Sequence, residues 1–253
     1  MDATRNPIIV EPREGFAVLT LNRPERRNAL DRQTMRALDR TLDECAADQA
    51  CRALVLTGAP PAFCAGSDLK ELGGLSVAAM AAHEAETAAV VRRFAHRPFP
   101  IVAAVEGYAL GGGLALAAAC DLVVTARTAK WAMPEVANGW LPPWGLQPVA
   151  ARTGPVRARA ICWGATSIDG AEAHRLGLAD LLAGDGEALG QACSLAAALA
   201  ALPAEAVAAT KRYFSTAIAA DAETLDAEAG RLFAENCSGA AARATLDRFA
   251  GRP

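Results

Sequence analysis

Lysine is nearly absent. The chain of 253 residues has three, Lys70, Lys130 and Lys211, its arginines are scattered among acids, and its formal net charge is -3. Such a surface offers no cationic field for a nucleic-acid backbone, so nucleic acid is excluded as a partner. The seven cysteines, an odd number, show no CxxC spacing, which excludes a zinc ribbon or a thioredoxin-like pair and leaves no metal site to expect. Most lie in apolar surroundings, where a free thiol behaves as a small hydrophobe, and a reducing, cytoplasmic setting is expected. No apolar run reaches the roughly 18 residues of a membrane span without a glycine, proline or charge. The opening MDATRNPIIVEPREG has acids and a proline where a secretory signal needs a basic head and an apolar run, so no signal peptide is expected. Nor is there an internal repeat of fixed period.

What is present is an α/β alternation. Residues 16–21 (FAVLTL), 53–57 (ALVLT), 100–105, 122–126 (LVVTA), 131–133 and 178–182 read as strands. Between them, Asp31 caps a helix whose apolar face is Met35, Leu38, Leu42 and Cys45, and an alanine-rich helix covers 77–94. Further helices are read at 147–151, 155–163 and 169–176, the last ended by Gly177. The segment NGWLPPWG at 138–145 cannot be regular. From Leu189 almost everything is alanine-rich helix. The expectation is an α/β core over 1–187 and a helical region over 188–253.

Two loops share one property: each follows an apolar strand, contains glycine and feeds a helix. In the first, GAPPAFCAGSDLKEL, the free amide at the helix start is that of Ser67, and Asp68 reads as the helix cap. The second runs through Gly111, Gly112 and Gly113, where the missing Cβ atoms let a ligand approach the main chain and the helix that follows turns its unpaired N–H groups outward, the free one being that of Gly112. Brought together by the sheet, the two amides would cradle an oxygen that becomes negative in a transition state.

FCAGSDL at 63–69 and EGYALGGGLALAAACDLVVTA at 106–126 resemble the paired signature segments of the enoyl-CoA hydratase/isomerase family, the crotonase superfamily. LNRPERRNAL at 21–30 resembles its N-terminal segment, and MPEVANGWLPPWG at 133–145 its second catalytic loop. The resemblance implies a fold, a spiral of ββα units followed by a helical trimerisation region. It also implies an acyl-CoA thioester as substrate, with a homotrimer or a dimer of trimers as the assembly. No cofactor is implied, since CoA is part of the substrate. The amides of Ser67 and Gly112, with Gly111, would bind the thioester oxygen. Ala65, Ser67, Asp68, Leu69 and Lys70 would cradle the adenine and pantetheine. Glu135 would move a proton at the acyl chain. Its apolar neighbours Trp131, Met133, Val136, Trp140 and Trp144 predict a pKa raised toward neutrality. Arg26, Arg27, Arg248 and Arg252 are candidates for the CoA phosphates, and Trp140, Pro142, Pro143 and Trp144 for a bulky acyl wall.

One position departs from the pattern. Members that hydrate a double bond resemble one another in a second glutamate three residues after the middle glycine, and here that position is Ala115. Hydration is the usual work of two carboxyls, whereas one suffices to take a proton from one carbon and return it to another. The expectation is therefore an isomerase-type proton transfer through a thioester enolate with Glu135 as the single acid/base. The alternatives are an enoyl-CoA hydratase with a displaced second acid, or a hydrolase or decarboxylase using the same enolate; CoA-ester binding without catalysis is disfavoured by a buried carboxyl that would then have no job. His83, Glu84 and Glu86 could supply a substitute acid if a turn of their helix faced the pocket, but they are read as a solvated helix face.

Overall fold

The computed structural model describes residues 6–164 and 167–251. In chain order the elements are β1 (Ile8–Arg13), β2 (Phe16–Leu21), α1 (Arg32–Ala47), β3 (Leu54–Gly58), α2 (Leu69–Leu72) and α3 (Val77–Arg92), then β4 (Ile101–Val105), β5 (Tyr108–Leu110) and α4 (Gly112–Ala118). There follow β6 (Leu122–Ala126), β7 (Lys130–Ala132), α5 (Glu135–Asn138), α6 (Leu146–Thr153), α7 (Pro155–Cys162), β8 (Ile168–Asp169), α8 (Gly170–Leu176) and β9 (Leu181–Ala183). The chain closes with α9 (Ala188–Ala200), α10 (Ala204–Ala219), α11 (Ala222–Cys237) and α12 (Ala240–Ala250).

The strands form a six-stranded sheet in the order β1-β2-β3-β4-β6-β9 and a smaller one in the order β5-β7-β8. Only β1 and β2 pair antiparallel in the large sheet; β2, β3, β4, β6 and β9 are parallel neighbours. Their apolar runs follow from burial on both faces, most completely in β4, IVAAV. β1 was not foreseen. It is an edge strand with Ile9 and Val10 exposed and a proline at position 12, and it lacks the apolar run of its neighbours.

The expected spiral is visible in the order of elements. β4, β5 and α4 make one strand-strand-helix turn, and β6, β7 and α5 make the next. In place of a small-sheet strand, the turn that starts with β3 has an isolated bridge from Cys64 to Ala109 in β5, and a second isolated bridge ties Ser67 to Leu30. Stacking these turns sets the loop before α2, the loop before α4 and the start of α5 along one edge of the small sheet.

The helix boundaries are chemical. Asp31 caps α1 by accepting from the Thr34 amide at 2.7 Å, Ser76 caps α3, and Asp169 caps α8. The glycine at 177 ends α8 in the left-handed conformation. α9 presents Ala188, Ala192, Ala196 and Ala200, all buried, to the large sheet, so this first C-terminal helix belongs to the main core. The later helices fold back. Leu72, Met80, Trp140, Phe233, Cys237, Ala242 and Leu246 form a second apolar cluster that fixes α11 and α12 against α2, α3 and residues 139–145. Among the described residues no single helix is long and apolar enough to cross a membrane.

Candidate active site

The two glycine loops meet. The Cys64 amide donates to the Tyr108 carbonyl and the Leu110 amide to the Cys64 carbonyl, both at 2.9 Å, which laces the first loop to β5. Gly66 has φ +85°, and a methyl on it would stand 2.8 Å from the Leu110 oxygen and 3.0 Å from the Gly112 nitrogen. Only glycine meets both demands there. The Ser67 and Gly112 amides therefore share one small region of space. Ala65 donates to Arg27 and Asp68 to Leu30, while Ser67, between them, has no backbone acceptor among the described residues. Gly112 is the first residue of α4, where no intrahelical acceptor exists.

Glu135 begins α5 and its side chain reaches the second loop. A methyl on Gly111, which has φ +53°, would stand 2.3 Å from Glu135 Oε1. Glu135 is 9% exposed, its Oε2 is buried without a partner among the described residues, and Trp131, Met133, Trp140 and Trp144 are themselves buried. Burial pushes its pKa up to about 7, and the nearby Glu84 carboxylate pushes in the same direction, against a backbone hydrogen bond. Val136, expected in this apolar shell, is 40% exposed and points away.

The side on which Ala115 stands is filled. The Ala115 methyl is buried, and a Cβ on Gly145 would stand 2.5 Å from it. The Trp144 ring lies against Gly112, with Cζ2 2.9 Å from where a methyl on that glycine would be. Residues 139–145 are held there from the C-terminal helices: Asn236 accepts from the Leu141 amide at 3.0 Å, and Asp226 accepts from the Gly145 amide at 3.1 Å. Trp140 meets the Phe233 ring edge-on at 6.2 Å.

The reading of His83, Glu84 and Glu86 as one solvated face is corrected. His83 and Glu84 are each 2% exposed, because the buried stripe of α3 runs Met80, His83, Glu84, Thr87, Ala88, Val91 at helical spacing. Glu84 Oε2 accepts from the Trp144 indole N–H at 2.7 Å, and the Ser67 hydroxyl also faces this carboxyl. Burial raises its pKa. Only Glu86 is solvated, pairing with Arg32 at 3.5 Å. His83 and Glu84 sit at the same helical spacing as Met80 and Val91, a sign that two polar residues share the packed face.

Asp68 is the cap foreseen, accepting from the Lys70 and Glu71 amides at 3.1 and 3.4 Å. Its other oxygen holds Arg23 at 3.0 Å, and Arg23 also pairs with Asp31 at 2.9 Å. Leu69 packs on the second cluster, and Lys70 is exposed. Lys70 lines a groove of about 830 Å³ with Arg23, Arg26, Arg32, Arg36 and Arg40. Sequence reasoning singled out Arg26 but missed Arg36 and Arg40, which α1 turns toward the same groove. Arg27 stacks on Tyr108 and Arg248 on Phe249 instead, at 5.3 and 5.0 Å from the ring centres. Arg252 lies outside the described residues. Among the described residues no three His, Cys, Asp or Glu side chains gather as metal ligands.

The family model described as enoyl-CoA hydratase/isomerase matches residues 11–252. A probable enoyl-CoA hydratase of Mycobacterium leprae is 38% identical over 172 residues, covering 68% of this chain and 66% of that protein, so the match spans about two thirds of its length. A short-chain-enoyl-CoA hydratase of Clostridium acetobutylicum is 30% identical over 232 residues, 91% of this chain and 89% of that protein. Among solved structures, an enoyl-CoA hydratase/isomerase from Mycobacterium paratuberculosis superposes with a TM-score of 0.86 at 28% identity, covering 97% of this chain and 99% of that one. Pseudomonas aeruginosa OdaA superposes with a TM-score of 0.87 at 27% identity, covering 98% and 100%.

Proposed function

The chain belongs to the enoyl-CoA hydratase/isomerase family, whose members act on acyl-CoA thioesters, and from that premise we propose that it moves a double bond along the acyl chain with Glu135 as its only proton carrier. In this reading the Ser67 and Gly112 amides hold the thioester oxygen of a 3-enoyl-CoA, and the Glu135 carboxylate removes a proton from C2. The electrons of that C–H bond delocalise onto the held oxygen as a dienolate. Glu135 then returns the proton to C4 and the double bond stands between C2 and C3. Atoms and charge balance without a redox group or a metal.

The observation that supports migration over hydration is the packing at Ala115. Gly145 packs on the Ala115 methyl, on the side where the second carboxyl of a hydratase would have to sit. A carboxyl that titrates at about 7 suits the shuttle, because it is both an adequate base and an adequate acid near neutrality.

Hydration is the second reading, favoured by the names of the Mycobacterium leprae and Clostridium acetobutylicum relatives above, both enoyl-CoA hydratases. It needs another carboxyl. The buried one nearby is Glu84, whose oxygens face Trp144 and Ser67. A panel of CoA thioesters decides. Conversion of 3-enoyl-CoA to 2-enoyl-CoA is expected, with slow hydration of crotonyl-CoA. Rapid hydration of crotonyl-CoA with 3-enoyl-CoA untouched would reverse the preference.

For the rest of the substrate we propose that Ala65 and residues 67–70 cradle the pantetheine and adenine. The cations in the groove beside Lys70, chiefly Arg26 and Arg36, would meet the phosphates. Exposed apolar side chains on α7, just after it and on the C-terminal helices, among them Val156, Trp163, Tyr213 and Phe214, support assembly into a trimer or a dimer of trimers.

A further inference from the structure

We infer that Glu84 is a positioning residue of this site: its carboxyl ties the Trp144 ring that lies against Gly112 to the loop that presents the Ser67 amide, and so sets the two oxyanion donors relative to each other. The inference rests on the proton-transfer reading above. Its grounds are geometric. Glu84 and Trp144 are each 2% exposed, and the bond between them joins α3 to residues 139–145 across 60 positions of sequence. Trp144 touches the second oxyanion loop at Gly112, and the Ser67 hydroxyl faces Glu84 from the first. One carboxyl thus meets a residue of each loop or its cover.

Why an acid stands there is a separate question. A glutamine could also accept from the indole and bond the serine hydroxyl, without the cost of burying a charge. Around Glu84 are His83 on its own helix, Ser67 and Trp144 on the two loops, Glu135 on α5 and Cys237 on α11. Among these described neighbours His83 is the one that can become cationic, and its Nδ1 lacks a partner. Glu135 is raised in part by the Glu84 carboxylate. A titratable group at 84 therefore holds the loops and also adjusts the proton affinity of the carrier.

The test uses Glu84→Ala, Glu84→Gln and Trp144→Phe in the full chain, with 3-enoyl-CoA turnover and the indole N–H resonances by NMR, Trp144 being assigned from its loss in Trp144→Phe. Glu84→Ala is expected to lower kcat about tenfold or more while KM moves less than about threefold, the loss of one buried hydrogen bond that orients rather than binds. Glu84→Gln is expected to stay within about threefold in kcat, to keep the bonded Trp144 resonance, and to move the midpoint of the acid limb of the pH profile downward. Trp144→Phe, which keeps a ring but lacks the N–H, is expected to lose as much as Glu84→Ala, and combining it with Glu84→Gln to add nothing. Unchanged kcat in Glu84→Ala with an unshifted indole resonance overturns the inference, as does an unmoved pH midpoint in Glu84→Gln. If Glu84→Ala does not fold, the other two variants decide in the same way. Should no thioester be turned over by the wild type, the functional reading falls. The indole resonance and the Glu135 titration followed by NMR in Glu84→Gln still judge Glu84.

Discussion

Replacing Glu135 by Gln should cut turnover sharply and, above neutral pH, make the protein more stable. The side chain keeps its shape but exchanges a carboxyl oxygen for an NH2 group, which can neither take up nor give up a proton near neutral pH. General acid/base catalysis is worth about 10² to 10⁴ in rate, so kcat should fall by that factor with KM little changed. The stability effect follows from the same burial. The carboxyl titrates near 4.5 in an unfolded chain and at about 7 in the folded one, because burial disfavours its charge. Between those values the folded state binds the proton that the unfolded state has released. Stability therefore declines as pH rises through this window, by roughly 3 kcal/mol at 1.36 kcal/mol per pH unit, and levels off above it. Glutamine has nothing to ionise. Urea denaturation at pH 5 and pH 8 should show the variant gaining on the wild type at the higher pH by about that amount, less whatever water relieves on ionisation. Turnover of every accepted thioester within about tenfold of wild type would refute the assignment of Glu135 as proton carrier. A stability difference that is flat between the two pH values would refute the claim that the carboxyl is buried and raised.

The remaining predictions concern the walls of the site. Ala115→Glu should not create a hydratase, because the larger side chain meets the backbone at Gly145, which packs on the Ala115 methyl; it should cost about 1–3 kcal/mol of stability in urea denaturation, and crotonyl-CoA hydration should stay slow. Gly111→Ala would place a methyl 2.3 Å from Glu135 Oε1 at φ +53°, displacing the carboxyl, and should lower kcat about a hundredfold in steady-state assays while the fold, read by circular dichroism, persists. Lys70→Ala should raise KM for CoA thioesters about tenfold with kcat unchanged, and the difference from wild type should shrink at high salt.

The parallel core was legible because burial on both faces writes continuous apolar runs: 16–21 and 122–126 coincide with β2 and β6, and the run at 100–105 contains β4. The Asp31, Asp68 and Asp169–Gly177 boundaries were legible because caps are local chemistry. β1 was not, since an edge strand exposed on most of its length has no apolar run to betray it. The site divides along the same line. Ser67, Gly112 and Glu135 sit in contiguous motifs, whereas Glu84 acts through Trp144, 60 residues away, on an alanine-rich helix where small residues on every side blur the buried stripe. Spacing alone could have placed Glu84 in register with Met80, Ala88 and Val91; what spacing cannot say is which partner would satisfy its carboxyl. That partner is fixed by tertiary structure. α11 holds residues 139–145 by Asp226 and Asn236 and presses Phe233 on Trp140, and those contacts turn the Trp144 N–H toward Glu84. The C-terminal helices thus hold the loop that covers Gly112, although none of the sequence motifs lies in them. A substitution such as Asp226→Ala, remote in sequence from every motif, should therefore loosen the loop that covers Gly112 before it lowers global stability. Hydrogen exchange at the Gly145 amide, whose acceptor is lost, compared with amides of β4, whose acceptors are not, reads that difference; equal protection changes at both would mean that the helix merely supports the fold.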